Sequence, residues 1–375
     1  MNTICYLLGR AKRFFFRETV LCIALAAALV SMFFVPPSPG YASYVDWKVL
    51  SCLFCLMSVV AGLRASGAFE ILASSILRFA GNTRSLAAIL VITTFFVAMA
   101  ITNDVALITF VPFALLLMRS GVSWRTRAHI ITLQTIAANV GSSLTPVGNP
   151  QNLYLFAHYH MPTKQFFLGI LPIVLAGFAL LILGFAHIKQ KPIYAQHTGH
   201  NFSLKKKRFF VFIALFALSV LTVFRVLDYR LVTGLVIVAV LALDRELLLR
   251  VDYSLLFTFV GFFVFIGNLQ QIEAVRSLLT GLVGKNVVLV SALASQCISN
   301  VPAAILLSRF TGDSVGLLRG VSIGGMGTII ASLASVISFK FLSHEHPAEA
   351  FQYLAIFTKW NVLFFVVLYL VNMVV

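Results

Sequence analysis

Between residues 86 and 118 the chain is apolar except around one triplet, Thr102-Asn103-Asp104, and this constrains the fold more than any other feature. Leu86 to Ile101 precedes the triplet and Val105 to Met118 follows it. A carboxylate within a bilayer is costly unless it is solvated or paired, so such residues mark ion or substrate paths. Taken as helices, the two flanks are roughly 21–24 Å long, short of the ~30 Å hydrocarbon core. Arg78 and Arg84 stand at one outer end, and Arg119, Arg125 and Arg127 at the other. This pattern predicts a helical hairpin that enters from the cytoplasm, turns within the membrane and leaves on the side it entered.

The rest of the chain agrees with a membrane setting. Its residues are 60% hydrophobic and 11% charged, with a mean hydropathy of +0.98, the profile of an all-α polytopic membrane protein. The net charge of +16 invites a nucleic-acid reading. The basic residues, however, stand beside apolar segments rather than in a groove interleaved with aromatics, so they are read as the positive-inside rule and nucleic acid is excluded as a partner. Arg10, Lys12, Arg13 and Arg17 precede the apolar run from Thr19 to Val35 without a small-residue cleavage site, which predicts a first transmembrane helix with a cytoplasmic N-terminus. Cys52 and Cys55 form a C-x-x-C lacking a second pair, and read as helix-packing residues.

Charge divides the chain into a cytoplasmic tail and first helix (1–44), a first repeat (45–188), a cytoplasmic linker (189–208), two linking helices (209–250) and a second repeat (251–375). The repeat is visible in the sequence. Val45-Asp46-Trp47-Lys48-Val49-Leu50 matches Val251-Asp252-Tyr253-Ser254-Leu255-Leu256, and each opens a span. An amphipathic segment follows in each half, Ala65–Arg78 and Gln270–Lys285, and then a polar hairpin tip, 102–104 or 299–301. Helix breaks are expected at 142–152 and 324–335, where Gly141, Thr145, Asn149, Asn152 and Phe156 align with Gly324, Thr328, Ser332, Ser335 and Phe339. His158-Tyr159-His160 echoes His344-Glu345-His346; both read as surface loop polarity, since no third metal ligand is evident. Asp46 falls outside and Asp252 inside, so the halves are expected to be inverted, with the C-terminus outside. Inverted repeats with discontinuous helices are characteristic of secondary transporters.

Thr102 or Asn103 is placed to cap the helix after the first tip, with Asp104 in its first turn, whereas Asn149 before Pro150 and Asn300 before Val301-Pro302 read as N-caps. Three helix N-termini then face the interior and suit an anion. Freed carbonyls and the side chains of Thr102, Asn103, Thr145, Asn149, Ser299, Asn300 and Thr328 suit Na⁺. The expected substrate site is Thr102, Asn103, Asn149, Ser299, Asn300 and Thr328. The expected coupling-ion residues are Asp104, Asn103, Thr145 and Asn300, with Na⁺ at Asn103, Asp104 and Asn300. Asp104 has no acidic counterpart in the second half, where Val301 stands. A charge there would repel an anion until neutralised, so Asp104 is expected to take up the coupling Na⁺ or H⁺.

Thr102-Asn103-Asp104-Val105-Ala106-Leu107, Pro146-Val147-Gly148-Asn149-Pro150-Gln151-Asn152 and Ser299-Asn300-Val301-Pro302-Ala303-Ala304 resemble the ion transporter superfamily. The likeness is to its citrate-transporter-like and arsenite-permease-like branches and, more distantly, to the divalent anion:sodium symporters. In those symporters, Ser-Asn-Thr signatures at the two hairpin tips bind substrate carboxylate and Na⁺. The resemblance implies the same roles for 102–104 and 299–301, though Asp104 and Val301 replace both threonines. It also implies a homodimer with an elevator-like transport domain in the bacterial inner membrane. The leading expectation is a secondary active transporter for a small organic carboxylate or inorganic oxyanion, driven by Na⁺ or H⁺. The alternatives are a Na⁺/H⁺ antiporter and an arsenite or antimonite efflux permease. A channel would need a selectivity ring, and an enzyme a nucleophile–base pair or metal ligands, neither of which the single internal acid supplies. The chain carries no G-x-x-x-x-G-K-[ST] loop, and no cofactor is expected.

Overall fold

The computed structural model describes residues 18–77, 81–118, 122–192, 203–345 and 347–375. The N-terminal basic cluster, the middle of the linker, Arg78, Arg119 and His346 lie outside the described residues. Every named element is helical. Five helical segments among the described residues are long and apolar enough to cross a bilayer.

The first half begins with α1 (Thr19–Met32), a one-turn α2 (Tyr41–Tyr44) inside what reads as an outer loop, and α3 (Trp47–Ala65). Asp46 starts α3, its carboxylate accepting the Val49 N–H at 3.0 Å. The short α4 (Ala68–Leu77) leads to α5 (Thr83–Ala100), which opens with a capping box in which Asn82 and Ser85 exchange hydrogen bonds. Only Ile101 and Thr102 separate α5 from α6 (Asn103–Met118), and the two pack against each other. At 18 residues α5 is longer than its apolar core foretold, because the capping box adds a polar first turn. Next come α7 (Trp124–Ser142), the break, α8 (Pro150–His158) and α9 (Thr163–Ala186).

The linker is not free at its start: the Thr83 N–H donates to the Lys191 carbonyl at 2.9 Å, holding it to the beginning of α5. α10 (Lys206–Val223) and α11 (Tyr229–Asp244) follow, and Arg208 pairs with Asp244 at 3.0 Å. A 3₁₀ turn (Arg245–Arg250) precedes α12 (Tyr253–Gln271). Asp252 caps α12 as Asp46 caps α3, accepting the Leu255 N–H at 3.0 Å. Then come α13 (Glu273–Lys285) and α14 (Val287–Ile298), bent by 116° at Asn286, then α15 (Asn300–Ser308) and α16 (Ser314–Gly324). After the second break, α17 (Leu333–Glu345) and α18 (Ala350–Val374) complete the chain.

Two sets of helices are apparent from packing. α3 packs on α10 and α11, and α1 on α12. In the other set α7 lies central, against α5, α6, α9, α17 and α18, while α16 packs on α14, α15 and α9. The polar face of α7 accounts for its position. Thr132, Gln134, Thr135 and Asn139 are all buried, and Thr135 donates to Ser338 at 2.7 Å and Gln134 to Thr94 at 3.0 Å. Such groups are tolerated in an apolar setting only when other helices supply partners. Cys52 and Cys55 are buried in the packing of α3.

Candidate functional site

Each break is stitched to the hairpin of its own half. In the first half the Thr145 hydroxyl donates to the Met99 carbonyl, and the Asn103 N–H donates to the Gly148 carbonyl at 3.2 Å. In the second half the Thr328 hydroxyl donates to the Gln296 carbonyl at 3.1 Å. Met99 and Gln296 each stand four residues before the tip asparagine, Asn103 or Asn300, so the same bond recurs at equivalent places. Gln296 adds more: its amide donates to the carbonyls of Gly324 (2.8 Å) and Met326 (2.9 Å), and its oxygen accepts the Thr328 N–H at 2.8 Å. Asn152 plays a similar part in the first break, its amide donating to the carbonyls of Ser142, Ser143 and Thr145 at 3.0–3.2 Å. Carbonyls released where a helix stops need such donors where water is scarce.

Two glycines allow this close approach. A Cβ on Gly141 would overlap the Phe95 carbonyl, and one on Gly324 would lie 2.9 Å from the Ala292 Cα and 2.7 Å from the Ser295 side chain. Both hairpins therefore press their first arm against the end of the broken helix.

The halves meet at Asn139, one turn before the first break. Its oxygen accepts from the Asn103 amide (3.0 Å) and the Ser332 hydroxyl (3.1 Å), and its amide donates to the Gly325 carbonyl (3.2 Å). Asn139 and Gln296 are the residues that sequence reasoning missed. The available signal was an amide side chain a few residues before a break or a tip.

A cavity of about 250 Å³ lies between α3, the first hairpin, the first break and the start of α12. Thr102, Asp104 and Asn149 line its inner part; Arg64, Arg250 and Asp252, all exposed, stand at its mouth. The remaining wall is apolar, including Leu53, Leu56, Val60 and Leu255. At the inner end the Asp104 Oδ1 and Asn149 Oδ1 atoms are buried and lack any hydrogen-bond partner. Two unpartnered acceptors from residues that line one cavity suit a cation, a proton or a hydroxyl-bearing guest.

The expected site residues are thus divided. Thr102, Asp104 and Asn149 reach the cavity. Asn103 is buried, its amide held by Asn139 and its oxygen accepting the Asp104 N–H at 2.9 Å. Thr145 is committed to Met99, and also accepts the Gly148 N–H at 3.0 Å. In the second half Ser299 and Asn300 are buried at the tip, with the Ser299 hydroxyl donating to the Ala331 carbonyl at 3.3 Å, whereas Thr328 is exposed.

Three local expectations need correction. Asn300 is not the N-cap of α15: that place belongs to Ser299, whose φ of 72° marks the sharp turn, and Asn300 begins the helix. Asn149 does occupy the N-cap position before Pro150, yet its side chain makes no capping bond. His158 is not loop polarity, since it ends α8 and stacks on Tyr154 with ring centroids 5.2 Å apart.

At the end of the molecule away from Arg64 and Arg250, the two helix sets are in contact. The Arg225 guanidinium donates to the Phe156 carbonyl and lies 4.9 Å from the centre of the Phe156 ring. The Gln270 amide donates to the Arg309 carbonyl at 3.2 Å. The Tyr154 and Phe263 rings are 5.7 Å apart.

A sequence model described as "Citrate transporter" matches residues 6–315. An uncharacterized transporter of Methanocaldococcus jannaschii is 33% identical over 298 residues, covering 79% of this chain and 81% of that relative. Inner membrane protein YbiR of Escherichia coli is 32% identical over 319 residues, 82% of this chain and 83% of that protein. A shorter match, 31% over 159 residues, covers 42% of this chain and 32% of the silicon efflux transporter LSI3 of Oryza sativa. With a family match over most of its length and all-helical architecture, the chain belongs to the citrate transporter family and is a multi-pass membrane transporter, not an enzyme.

Proposed function

We propose that the protein is a secondary active transporter for a small anion, coupled to Na⁺ or H⁺ through Asp104. The single observation that carries this reading is the Asp104 carboxylate on the cavity wall, its Oδ1 buried and unpartnered, as is the Oδ1 of Asn149 on the same cavity. A charge so placed repels an anion, and binding a proton or Na⁺ removes the repulsion, which links cation and substrate occupancy. Thr102 and the N-terminal ends of α6 and α8 supply the donors that an anion needs.

The repeated threonine-to-carbonyl bond, the matched glycines and the matched Asp caps support two inverted halves, each with a re-entrant hairpin and a discontinuous helix. The separation into two helix sets supports an elevator-type movement of the set around α7 against the set around α3. A homodimer built on the latter is part of the same reading. Export rather than uptake is the second reading of direction, favoured by the rice relative, a silicon efflux transporter.

The test is flux in proteoliposomes holding the full-length chain, with a panel of organic and inorganic anions under separately imposed Na⁺ and pH gradients. Anion movement should follow one gradient, and Asp104→Asn should abolish that dependence. Movement that ignores both gradients, or an Asp104→Asn variant with unchanged ion dependence, refutes coupling at Asp104.

A further inference from the structure

The cavity mouth holds two arginines that none of these arguments uses. Arg64 lies in the last turn of α3, and Arg250 closes the 3₁₀ turn before α12. Both line the cavity, both are exposed, and among the described residues neither guanidinium has a hydrogen bond or ion pair. Other arginines of the same basic face are engaged: Arg84 donates to the Ile188 carbonyl at 2.9 Å, Arg127 to the Val122 carbonyl at 2.9 Å, and Arg208 to Asp244. Asp252, the acid beside the pair, is occupied in capping α12.

The register of the two halves makes the pair more informative. α3 and α12 have the same length and are capped alike by Asp46 and Asp252. In that alignment Arg250 corresponds to Tyr44 and Arg64 to Gln270, both uncharged. The equivalent positions at the opposite end are therefore uncharged; of the arginines near that end, Arg225 is committed to the Phe156 carbonyl and Arg309 stands at the end of the second hairpin.

We propose that Arg64 and Arg250 form an anion-capturing vestibule at the basic, cytoplasmic mouth of the cavity. They act as specificity-determining residues that collect negatively charged substrate from that face in preference to the other. The proposal rests on the cavity being the transport site and narrows its substrate to a species that carries negative charge as it enters from the cytoplasm. Two cations over low-dielectric walls focus the field and raise the local anion concentration. They lower KM on one face only. The direction of net transport stays with the ion gradients, because a vestibule shared by forward and reverse steps cannot shift an equilibrium.

The vestibule can be read independently of the substrate. Met57 lines the cavity, so Met57→Cys serves as a reporter in the full-length chain with Cys5, Cys22 and Cys297 replaced by Ser. Its modification is timed with a sulfonate-bearing and a trimethylammonium-bearing methanethiosulfonate. The ratio of anionic to cationic rates should fall roughly tenfold in R64Q/R250Q, return in R64K/R250K, and shrink with added salt. A ratio that R64Q/R250Q leaves unchanged overturns the proposal. In proteoliposomes, KM for citrate, phosphate or sulfate should rise severalfold from the basic face in R64Q/R250Q with kcat in that direction unaltered, and kcat/KM from the opposite face should fall by the same factor, as a vestibule shared by both steps requires. An unaltered basic-face KM also overturns it. A wild-type protein that moves none of the three anions, yet shows the expected ratio and its Lys rescue, refutes the anion reading of the preceding section and supports the charged vestibule.

Discussion

Asn139 makes three side-chain bonds with three separate segments: the first hairpin tip, the second break and the start of the second half-helix. Removing the amide leaves the Asn103 amide, the Ser332 hydroxyl and the Gly325 carbonyl without their partner in a buried setting. Buried polar groups left unpaired cost ~1–3 kcal/mol each. Asn139→Ala is therefore expected to lower the thermal midpoint of detergent-solubilised protein by several degrees and to reduce flux. Asn139→Asp keeps both accepting roles but turns a buried carboxylate oxygen toward the Gly325 carbonyl, so its midpoint should be no higher than that of Asn139→Ala. At this scale the sequence was legible wherever chemistry was local. Asp104 in apolar sequence pointed to the cavity, and Asn149 before Pro150 pointed to a helix start. The side-chain partners were not legible. Asn103 and Asn300 read as ligand residues; both are buried and neither lines the cavity, because neighbours distant in sequence decide which face of a tip side chain meets open space.

The hairpins and the broken helices behave as paired elements. Each break returns to its own hairpin through a threonine hydroxyl, and each pair closes over a glycine. Gly141→Ala places a methyl group against the Phe95 carbonyl, which cannot move without displacing α5. We expect Gly141→Ala to be the more disruptive of the two glycine substitutions, with transport lost and solubilised protein markedly less stable. At Gly324 the obstructing atoms include the short Ser295 side chain, so Gly324→Ala should retain more folded protein by size-exclusion profile. The repeat made these pairings foreseeable, since Gly141 aligns with Gly324 and Thr145 with Thr328 in the sequence alone. What the alignment could not supply was the use of Thr145 and Thr328. Both were expected at the ligand, and both bond the preceding hairpin arm, a role visible only once Met99 and Gln296 come within reach.

At the scale of the whole molecule the cavity is open at the Arg64–Arg250 end, and the opposite end is held by Arg225 on Phe156 and Gln270 on Arg309. These contacts join one helix set to the other, so any relative movement of the sets must break them. A short bifunctional thiol crosslinker joining Gln270→Cys to Arg309→Cys is expected to block flux while leaving a cavity cysteine reactive from the basic face. Flux that persists in fully crosslinked protein would mean that the sets do not move apart there. By itself the sequence determined the class of the molecule. Apolar helix-length segments demand a bilayer, and a pattern of cap, tip and break recurs along the chain. These follow from hydrophobicity, charge and chain-local hydrogen bonding, which act on neighbours along the chain. Only the tertiary structure decided that Asp104 and Asn149 line one cavity, that Asn139 joins the halves, and that two arginines distant in sequence meet at one mouth. Those relations depend on helix crossing and rotation, which packing across the whole bundle sets and no local stretch of residues encodes.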